Sequence, residues 1–472
     1  MNGPIRRLTY GIFIGFGLLA LATSFIQGVR ADALRTDPAN PRVVLSLAGK
    51  ERGAILGADG SLLAVSELVE GADRRFVRRY PEGATFAWPV GHTTALFGES
   101  GLEASYSDQL RSRQDLTISD LLTAIFGGDL RPRSLGLTID PALQRVADEA
   151  LGERRGSVIA LDPTTGAVLA WVSHPSYDPQ AFVADPAYAR TVAEDETQPL
   201  LDRGARVLAP PASTFKLVVT AAALESGEWL PSSTLPDPAE LPLPGSTAVM
   251  RNPGGGTCAG GGEVTLAESL VRSCNIPFAE LAIELGSDPV VGTAEAFGWT
   301  TEIETDLPVS ISPFPDPGDD LAALAQTAIG ERDARATTLQ MASVVATIAA
   351  GGERVRPFLV GTVFDADGGV ESTTEPVVLG RAISETTAAQ LTDMMEDVVA
   401  RGTGSAAALP GVAVAGKTGT SETGPVWFVG FAPVDDPTIA IAVLVTDPGP
   451  DGSGGRTAAP IARAVLAEWI LR

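Results

Sequence analysis

Two of the three lysines in this chain stand in short motifs that suit nucleophilic catalysis. The sequence holds 34 Lys and Arg residues, but only Lys50, Lys216 and Lys417 are lysine. Arginine keeps its proton at working pH, whereas a desolvated lysine can lose it and act as a base. Lys216 follows Ser213 by three positions, and residues so spaced share one face of a helix. The amine could therefore activate the Ser213 hydroxyl, a poor nucleophile without an adjacent base.

The alternative is an ordinary helix start, with Ser213 as the N-cap and Lys216 at the surface. The segment STFKLVVTAAALESG is apolar on nearly every face, so it predicts a buried helix, which fits a surface lysine poorly. A second cation at Lys417 and the positive end of the helix would both lower the pKa of a buried amine. We therefore favour the catalytic interpretation.

Two further motifs follow at wide separation. Ser273 and Asn275 form Ser-x-Asn after the predicted helical stretch EVTLAESLVR, and Lys417 begins Lys-Thr-Gly within AGKTGTS. Ser-x-x-Lys and Ser-x-Asn are weak signals when each stands alone. Together with Lys-Thr-Gly, in this order and in a chain so poor in lysine, they indicate a serine acyl-transfer enzyme.

Residues 411–418 also match the phosphate-binding loop pattern G-x-x-x-x-G-K-[ST], with Asp447 as a possible magnesium ligand. Such a loop needs a helix that begins at the lysine. Here the middle residues, VAVA, favour a strand, and TGTSETGP after Lys417 cannot begin a stable helix. The match to nucleotide hydrolases is therefore accidental.

The elements that must position these motifs can be predicted along the chain. GAILGADGSLLAVS and GSVIALDPTTGAVLAWVS are predicted hairpins, and DPALQRVADEALG is a predicted helix that stops at Gly152. A strand-like segment also lies at residues 42–47. VWFVGFAP and TIAIAVLV are predicted strands, and TAAPIARAVLAEWILR is a predicted closing helix. Strands, then helices, then strands indicate an α+β domain over residues 151–472.

The N-terminal region predicts a membrane anchor. No charge interrupts the run from Leu8 to Val29, which at about 1.5 Å per residue is long enough to cross a bilayer. Arg6 and Arg7 favour a cytoplasmic N-terminus, with the rest of the chain outside the cytosol. A cleaved signal peptide is the alternative. The run is longer than a usual signal core, so we favour a retained single-pass anchor.

Composition excludes several classes of function. The formal net charge of −24 repels phosphate backbones, so we expect no nucleic-acid partner. Two His and two Cys argue against a multi-His or multi-Cys metal site. His92 and His174 stand in no context typical of a Ser-His-Asp triad, and we expect them to be scattered surface or loop residues.

The motifs APPASTFK, SCN and AGKTGTS resemble those of the class B penicillin-binding proteins. The resemblance covers most of the chain, and the short pedestal and lone transpeptidase domain resemble most closely the penicillin-binding protein A group. Gly57 and Ala58 depart from a frequent Asp-Arg, and His92 stands where Tyr is common. The other similar stretches are RGAILGADGSLLA, YPEGATFAWPVGHTTALFGESGLEASYSDQL, LTIDPALQ, ALDPTTGAVLAWVSHPSYDP, IGERDARATTLQMA and VWFVGFAP.

The resemblance implies a fold and a domain order. The expected fold is a serine β-lactamase-like transpeptidase domain, with an antiparallel sheet between helices, on a small N-terminal pedestal and one transmembrane helix. The expected divisions are residues 1–30 for the cytoplasmic tail and anchor, 31–150 for the dimerisation-like pedestal and 151–472 for the transpeptidase domain. The pedestal is too short to hold a glycosyltransferase. The implied partner is therefore a separate membrane glycosyltransferase of the SEDS type.

The implied activity is that of a D,D-transpeptidase that cross-links peptidoglycan stem peptides through a serine acyl-enzyme, without a metal or organic cofactor. β-Lactams would acylate the same serine. The implied catalytic residues are Ser213, Lys216, Ser273, Asn275 and Lys417. The implied substrate-binding residues are Thr418, Gly419 and Thr420, and the backbone N–H groups of Ser213 and Thr420 would form the oxyanion hole.

Cys258 and Cys274 would both lie outside the cytosol, with a glycine-rich segment between them. We predict a disulfide that tethers this segment beside the Ser-x-Asn motif, and the alternative is two buried thiols.

Three rival functions share these motifs. A D,D-carboxypeptidase differs only in accepting water, and the sequence separates it weakly from a transpeptidase. A serine β-lactamase needs a base that activates water for deacylation, and no persuasive candidate is present. A non-catalytic β-lactam sensor would need a cytoplasmic signalling portion, and too few residues precede the anchor.

Overall fold

The computed structural model describes residues 2–28, 30, 49–69, 75–94, 96–111 and 131–472. The strand-like segment predicted at residues 42–47 lies outside these residues.

Helices occur along the whole described chain. They are Asn2–Gly28, Ala87–Val90, Gly101–Ser105, Ser107–Leu110, Pro141–Leu151, Pro179–Ala184, Pro186–Glu194, Arg203–Arg206, Lys216–Glu225, Leu266–Arg272, Ile276–Leu285, Ser287–Ala296, Leu321–Ala328, Thr338–Ala349, Glu385–Arg401 and Ala459–Leu471. Short 3₁₀ turns form at Gly83–Phe86, Ala212–Phe215 and Ser405–Ala407, and a π-helical turn forms at Gly454–Ala458.

Nineteen strands build the sheets of the described residues. They are β1 Ile55–Leu56, β2 Leu62–Val69, β3 Arg75–Arg79, β4 Thr93–Thr94, β5 Gly98–Glu99, β6 Ser134–Leu137, β7 Gly156–Leu161, β8 Val168–His174, β9 Thr234–Pro236, β10 Glu240–Pro242, β11 Val249–Arg251, β12 Glu263–Thr265, β13 Glu353–Val355, β14 Val360–Phe364, β15 Val370–Thr373, β16 Val378–Arg381, β17 Ala415–Thr420, β18 Val426–Ala432 and β19 Ile439–Val445.

The N-terminal helix Asn2–Gly28 is exposed along its described length. Its segment Gly3–Gly28 is long and apolar enough to cross a membrane, with a mean hydropathy of 1.8. By length and composition it is therefore a candidate for a single membrane span.

A five-stranded antiparallel sheet, ordered β17-β18-β19-β7-β8, forms the centre of the C-terminal region. Side chains of a strand alternate between its two faces, and both faces are buried here. Trp427 and Val429 face a core shared with helices Lys216–Glu225 and Thr338–Ala349. Phe428 faces the opposite core, which the terminal helix Ala459–Leu471 closes together with helix Pro141–Leu151. The predicted α+β arrangement, a sheet between helices, is confirmed.

A six-stranded sheet, ordered β15-β14-β6-β1-β2-β3, draws on distant parts of the chain. Strand β14 pairs with β6, so residues 360–373 join the strands of the predicted pedestal. Arg131 reinforces this junction with two bonds of 2.7 Å to the Asp367 carboxylate. The predicted boundary near residue 150 stays a prediction, but the hairpin β14–β15 crosses it in space.

Most predicted elements form, with three differences in their bounds. The helix predicted over STFKLVVTAAALESG is α-helical only from Lys216, because Ala212–Phe215 forms a 3₁₀ turn. Both hairpins form, and helix Pro141–Leu151 starts at an Asp140 cap and stops at Gly152. The strand of the Lys-Thr-Gly motif begins only at Ala415, because Val412 makes a separate bridge to Leu409. The first residues of the predicted helix EVTLAESLVR form strand β12 instead, and the helix starts at Leu266.

Candidate active site

Ser213 lies in the 3₁₀ turn Ala212–Phe215, which runs directly into helix Lys216–Glu225. Ala212 has a φ of +49°, a left-handed conformation that non-glycine residues rarely adopt. Its N–H donates to the Gly330 carbonyl at 2.9 Å. A side chain at Gly330 would lie 2.0 Å from the Ala212 carbonyl oxygen, so only glycine permits this approach. Tertiary packing therefore holds the turn that presents Ser213.

Lys216 is fully buried at the start of this apolar helix, as predicted. Its Nζ donates to the Ser273 carbonyl at 2.9 Å and to Asn275 Oδ1 at 2.9 Å, and it lies 5.5 Å from the centroid of the Phe278 ring. Burial, and after it the charge of Lys417, hold the pKa of Lys216 well below its usual value, although Glu331 acts in the opposite sense.

The two hydrogen bonds of Lys216 suit a neutral amine. A neutral amine has two N–H bonds and one lone pair, whereas an ammonium has three donors and no acceptor. Ser273 and Asn275 take two donors, which leaves the lone pair of the neutral form free. Ser213 precedes Lys216 by three positions in the adjoining 3₁₀ turn, a geometry in which residues i and i+3 share one face.

Ser273 links the two lysines. It caps helix Leu266–Arg272 with a φ of +62°, ahead of helix Ile276–Leu285. Its carbonyl accepts from Lys216, and its hydroxyl accepts from Lys417 Nζ at 2.8 Å. Because the carbonyl and hydroxyl of one residue bind both amines, the Ser-x-Asn motif sets the spacing of the two lysines.

Lys417 is buried on β17, an edge strand of the five-stranded sheet. Its Nζ also donates to the Thr418 carbonyl at 2.9 Å, and burial lowers its pKa to about 7. The strand packs against the turn that carries Ser213, because a Cβ at Gly419 would lie 3.0 Å from the Pro211 carbonyl oxygen. Thr420 ends the strand, and its hydroxyl accepts from the Gly454 N–H at 3.1 Å.

The predicted site residues therefore converge on one locality. Lys216, Ser273, Asn275 and Lys417 are joined by direct hydrogen bonds. Ser213, Thr418, Gly419 and Thr420 lie on the turn and the strand that carry or flank these lysines. Among the residues that the structure describes, no group of three His, Cys, Asp or Glu side chains could hold a metal ion.

Two residues of this locality had no predicted role. Asn252 Oδ1 accepts from the N–H groups of Asn275 at 2.9 Å and Ile276 at 3.0 Å, and so fixes the start of that helix. Glu331 accepts from Ser421 Oγ at 3.1 Å and from the Glu422 N–H at 3.2 Å, which ties the turn after β17 to the Gly330 turn. Glu331 lies in the segment IGERDARATTLQMA, but no residue spacing in that segment predicts its contacts with Ser421 and Glu422.

The predicted disulfide between Cys258 and Cys274 is present, with the Cα atoms 5.7 Å apart. Asp237 holds the same segment, since its carboxylate accepts from the N–H groups of Cys258 and Ala259 at 2.6 Å each. Cys274 is the middle residue of the Ser-x-Asn motif, so the disulfide anchors the glycine-rich segment directly beside Ser273 and Asn275.

Replacing Cys258 with serine should lower the free energy of unfolding by about 3 kcal/mol, because the unfolded chain regains the freedom of the closed loop. Chemical unfolding of the wild type and the variant measures the difference. Reductant should bring the wild-type midpoint to that of Cys258→Ser and leave the variant unchanged. Alkylation of two thiols in the unreduced wild type would contradict the bond.

The histidines lie apart from this locality. His92 is buried rather than at the surface, with Nδ1 2.7 Å from Tyr177 Oη and 2.9 Å from Ser100 Oγ. Burial lowers its pKa to about 4. His174 Nε2 lies 2.5 Å from an Asp148 oxygen. In the described part of the chain neither ring bonds to a residue of the three motifs.

Comparison with known proteins gives matches along nearly the whole chain. Residues 156–467 match the family described as the penicillin-binding protein transpeptidase domain, and residues 52–133 match the penicillin-binding protein A dimerisation domain. The peptidoglycan D,D-transpeptidase PbpA of Mycolicibacterium smegmatis is 38% identical, over 99% of both chains.

This chain is also similar to solved structures of penicillin-binding protein A. The ceftriaxone acyl-enzyme complex of penicillin-binding protein A from M. tuberculosis superposes with a TM-score of 0.83 at 35% identity, covering 90% of this chain and 100% of that chain. The penicillin G acyl-enzyme complex of the same protein gives 0.81 at 36% identity, covering 89% and 100%.

Proposed function

Since the chain belongs to the penicillin-binding protein transpeptidase family, we propose that the joined lysines and serines perform the acyl transfer of a peptidoglycan D,D-transpeptidase. The protein cross-links stem peptides through a serine acyl-enzyme, and β-lactams inhibit it covalently. The observation that carries the residue assignment is the cluster in which Ser273 binds both Lys216 and Lys417 beside the turn of Ser213.

In the proposed acylation, Ser213 Oγ attacks the carbonyl carbon of the penultimate D-Ala. The lone pair of neutral Lys216 accepts the hydroxyl proton as the ester bond forms. The bond to the terminal D-Ala then breaks, and its nitrogen leaves as an amine after it receives a proton. Ser273 has an O–H hydrogen still free to donate, because its oxygen is the acceptor of the Lys417 bond. We assign this hydroxyl to the relay of the proton between Lys216 and the leaving nitrogen.

Asn275 is proposed to hold both the base and the substrate. Its Oδ1 accepts from Lys216, while its Nδ2 donates to the Arg251 carbonyl at 3.0 Å, so the amide has a fixed orientation. A side chain that is already held by two hydrogen bonds loses little conformational entropy when a peptide binds. The amide is therefore suited to contact the substrate backbone.

The terminal carboxylate is proposed to bind along β17. Lys417 donates two hydrogen bonds within the protein, which leaves the ammonium form one donor for a carboxylate. Thr418 and Thr420 supply hydroxyls, and the small Gly419 lets the strand lie close to the Ser213 turn. The N–H groups of Ser213 and Thr420 are the proposed oxyanion hole, each worth about 3 kcal/mol at the transition state.

The acyl-enzyme is then resolved by an amine of a neighbouring stem peptide, which forms the cross-link and frees Ser213. A β-lactam opens its ring on the same oxygen. Its amine leaving group stays tethered to the acyl product, which favours a persistent adduct.

Stoichiometry of penicillin acylation tests this function. We expect one covalent adduct per chain, followed by slow release. With a donor peptide ending in D-Ala-D-Ala and a D-amino acid acceptor, mass spectrometry should show exchange of the terminal residue. Rapid continuous hydrolysis of penicillin would instead identify a β-lactamase. Release of D-Ala without incorporation of the acceptor would identify a carboxypeptidase.

The N-terminal helix supports a proposal for the cellular setting. We propose that Gly3–Gly28 is a retained single span and that the catalytic region lies outside the cytosol. The proposed divisions are an anchor over residues 1–30, a pedestal over 31–150 and a transpeptidase domain over 151–472. The segment before residue 150 is too short to hold a glycosyltransferase beside its pedestal elements, so a membrane glycosyltransferase of the SEDS type, implied by the family resemblance, is the proposed partner.

A further inference from the structure

Thr403 makes contacts that connect two of the three motifs. It follows helix Glu385–Arg401, and its Oγ1 lies 2.7 Å from Thr418 Oγ1. Its N–H donates at 3.3 Å to the carbonyl of Val271, two positions before Ser273. One residue thus reaches both the strand of the Lys-Thr-Gly motif and the helix that ends at Ser273.

The backbone around Thr403 is closely packed on both sides. A Cβ at Gly402 would lie 2.6 Å from the Val271 carbonyl oxygen, and a Cβ at Gly455 would lie 2.6 Å from the Thr403 carbonyl oxygen. Such distances leave no room for a side chain at either glycine, so the backbones pack directly against each other. An ion pair between Arg401 and Glu268, at 2.7 Å, joins the two helices just outside this junction. These contacts therefore hold the Thr403 backbone between the two helices and the strand.

The direction of the hydrogen bond between Thr403 and Thr418 decides whether Thr418 keeps its hydrogen for another partner. Each hydroxyl carries one hydrogen, and geometry alone allows either to be the donor. If Thr418 donates to Thr403, no hydrogen of Thr418 is left for a substrate carboxylate. If Thr403 donates, Thr418 receives one bond and keeps its own hydrogen. In the described residues neither hydroxyl has another partner, so a bound carboxylate selects the second arrangement.

We propose that Thr403 is a positioning residue for the substrate carboxylate, because its hydroxyl donates to Thr418 and thereby directs the Thr418 hydrogen at the bound anion. The inference rests on the proposed function, in which Thr418 binds that carboxylate. Thr418 is almost fully buried and Thr403 is exposed, so the outer hydroxyl supports the inner one. Hydrogen bonds in such a chain polarise one another and become stronger.

The test compares penicillin G with its methyl ester, which lacks the carboxylate charge. Thr403→Val keeps the branched shape and removes the hydroxyl. Its second-order rate constant for acylation by penicillin G should fall about tenfold, the loss expected from a weakened bond to a charged group. The loss should reside in the binding constant rather than in the acylation step. The slow reaction with the methyl ester should be equal in the variant and the wild type.

Two companion variants make the result specific. Thr403→Ser retains the hydroxyl and should react with penicillin G like the wild type. Ser405→Ala removes an exposed hydroxyl from the neighbouring turn and should change neither reaction. Equal losses on both ligands, or a Thr403→Ser variant as slow as Thr403→Val, would show a merely structural role and overturn the inference.

The same measurements distinguish a failure of the role proposed for Thr403 from a failure of the proposed transpeptidase function. A wild-type chain that neither ligand acylates would overturn the proposed function and the role of Thr403 with it. A wild type that penicillin G acylates, together with an equally reactive Thr403→Val, would overturn only the role of Thr403.

Discussion

Replacing Ser213 with alanine should abolish covalent labelling by a fluorescent penicillin. The variant lacks the oxygen proposed to form the ester, while the surrounding turn is held by the bond from Ala212 to Gly330 and should not change. Transpeptidation should fall by something on the order of 10⁶, the size typical for deletion of a serine nucleophile. Labelling detected after denaturing electrophoresis and acceptor exchange detected by mass spectrometry measure the two effects.

A serine elsewhere provides the matched control. Ser232 is exposed and lies outside all three motifs, so Ser232→Ala should be labelled like the wild type. Equal labelling of Ser213→Ala and the wild type would remove Ser213 from the mechanism. Unchanged thermal unfolding of Ser213→Ala would show that its loss of labelling is chemical.

Replacing Lys216 with arginine should lower the acylation rate by about 10² to 10⁴, the range of a lost general base. Arginine keeps the positive charge and cannot give a neutral base at working pH. The measurement is the acylation rate constant for penicillin as a function of pH. The wild-type rate should rise with pH as Lys216 loses its proton, whereas the variant should show no such rise.

The pKa shifts of Lys216 and Lys417 determine how the acylation rate should change with pH. In the proposed mechanism the neutral amine is the active form, and burial together with Lys417 lowers the pKa of Lys216. The rise should therefore lie well below pH 10.5, the ordinary value for a lysine. At higher pH the rate should fall as Lys417, with a pKa of about 7, loses the charge that binds carboxylate. A bound carboxylate stabilises that ammonium and moves the falling limb upward.

Lys50 supplies the control for this substitution. It is the remaining lysine and lies in the N-terminal region, away from the three motifs. Lys50→Arg should retain the wild-type rate and pH profile. A Lys216→Arg variant that keeps the rising limb would assign the limb to another group and contradict the proposed base.

The sequence predicted a feature correctly where a residue type or an apolar pattern has one dominant structural or chemical explanation. Rare lysines predicted Lys216 and Lys417, and apolar patterns predicted the buried helix and individual strands of the central sheet. The disulfide followed from two cysteines outside the cytosol. These features depend on local pattern or on composition, so a single sequence reveals them.

Contacts between distant segments were not predictable in the same way. Nothing local marks Thr403 as a partner of Thr418, Glu331 as a partner of Ser421, or the left-handed backbone of Ala212. The early start predicted for the Lys-Thr-Gly strand has a similar cause, since Val412 favours extended backbone but pairs with Leu409 instead. Packing decides these details after the elements have formed.

Because β14 pairs with β6, the C-terminal region cannot be separated from the N-terminal region without the loss of a strand pairing. A fragment cut at residue 151 would lose the neighbour of β14 and leave that strand with a bare hydrogen-bonding edge, a common origin of aggregation. Shuffling the C-terminal region onto another N-terminal module would require a replacement strand of matching register. Exchange of either region should therefore preserve the pairing of β14 with β6.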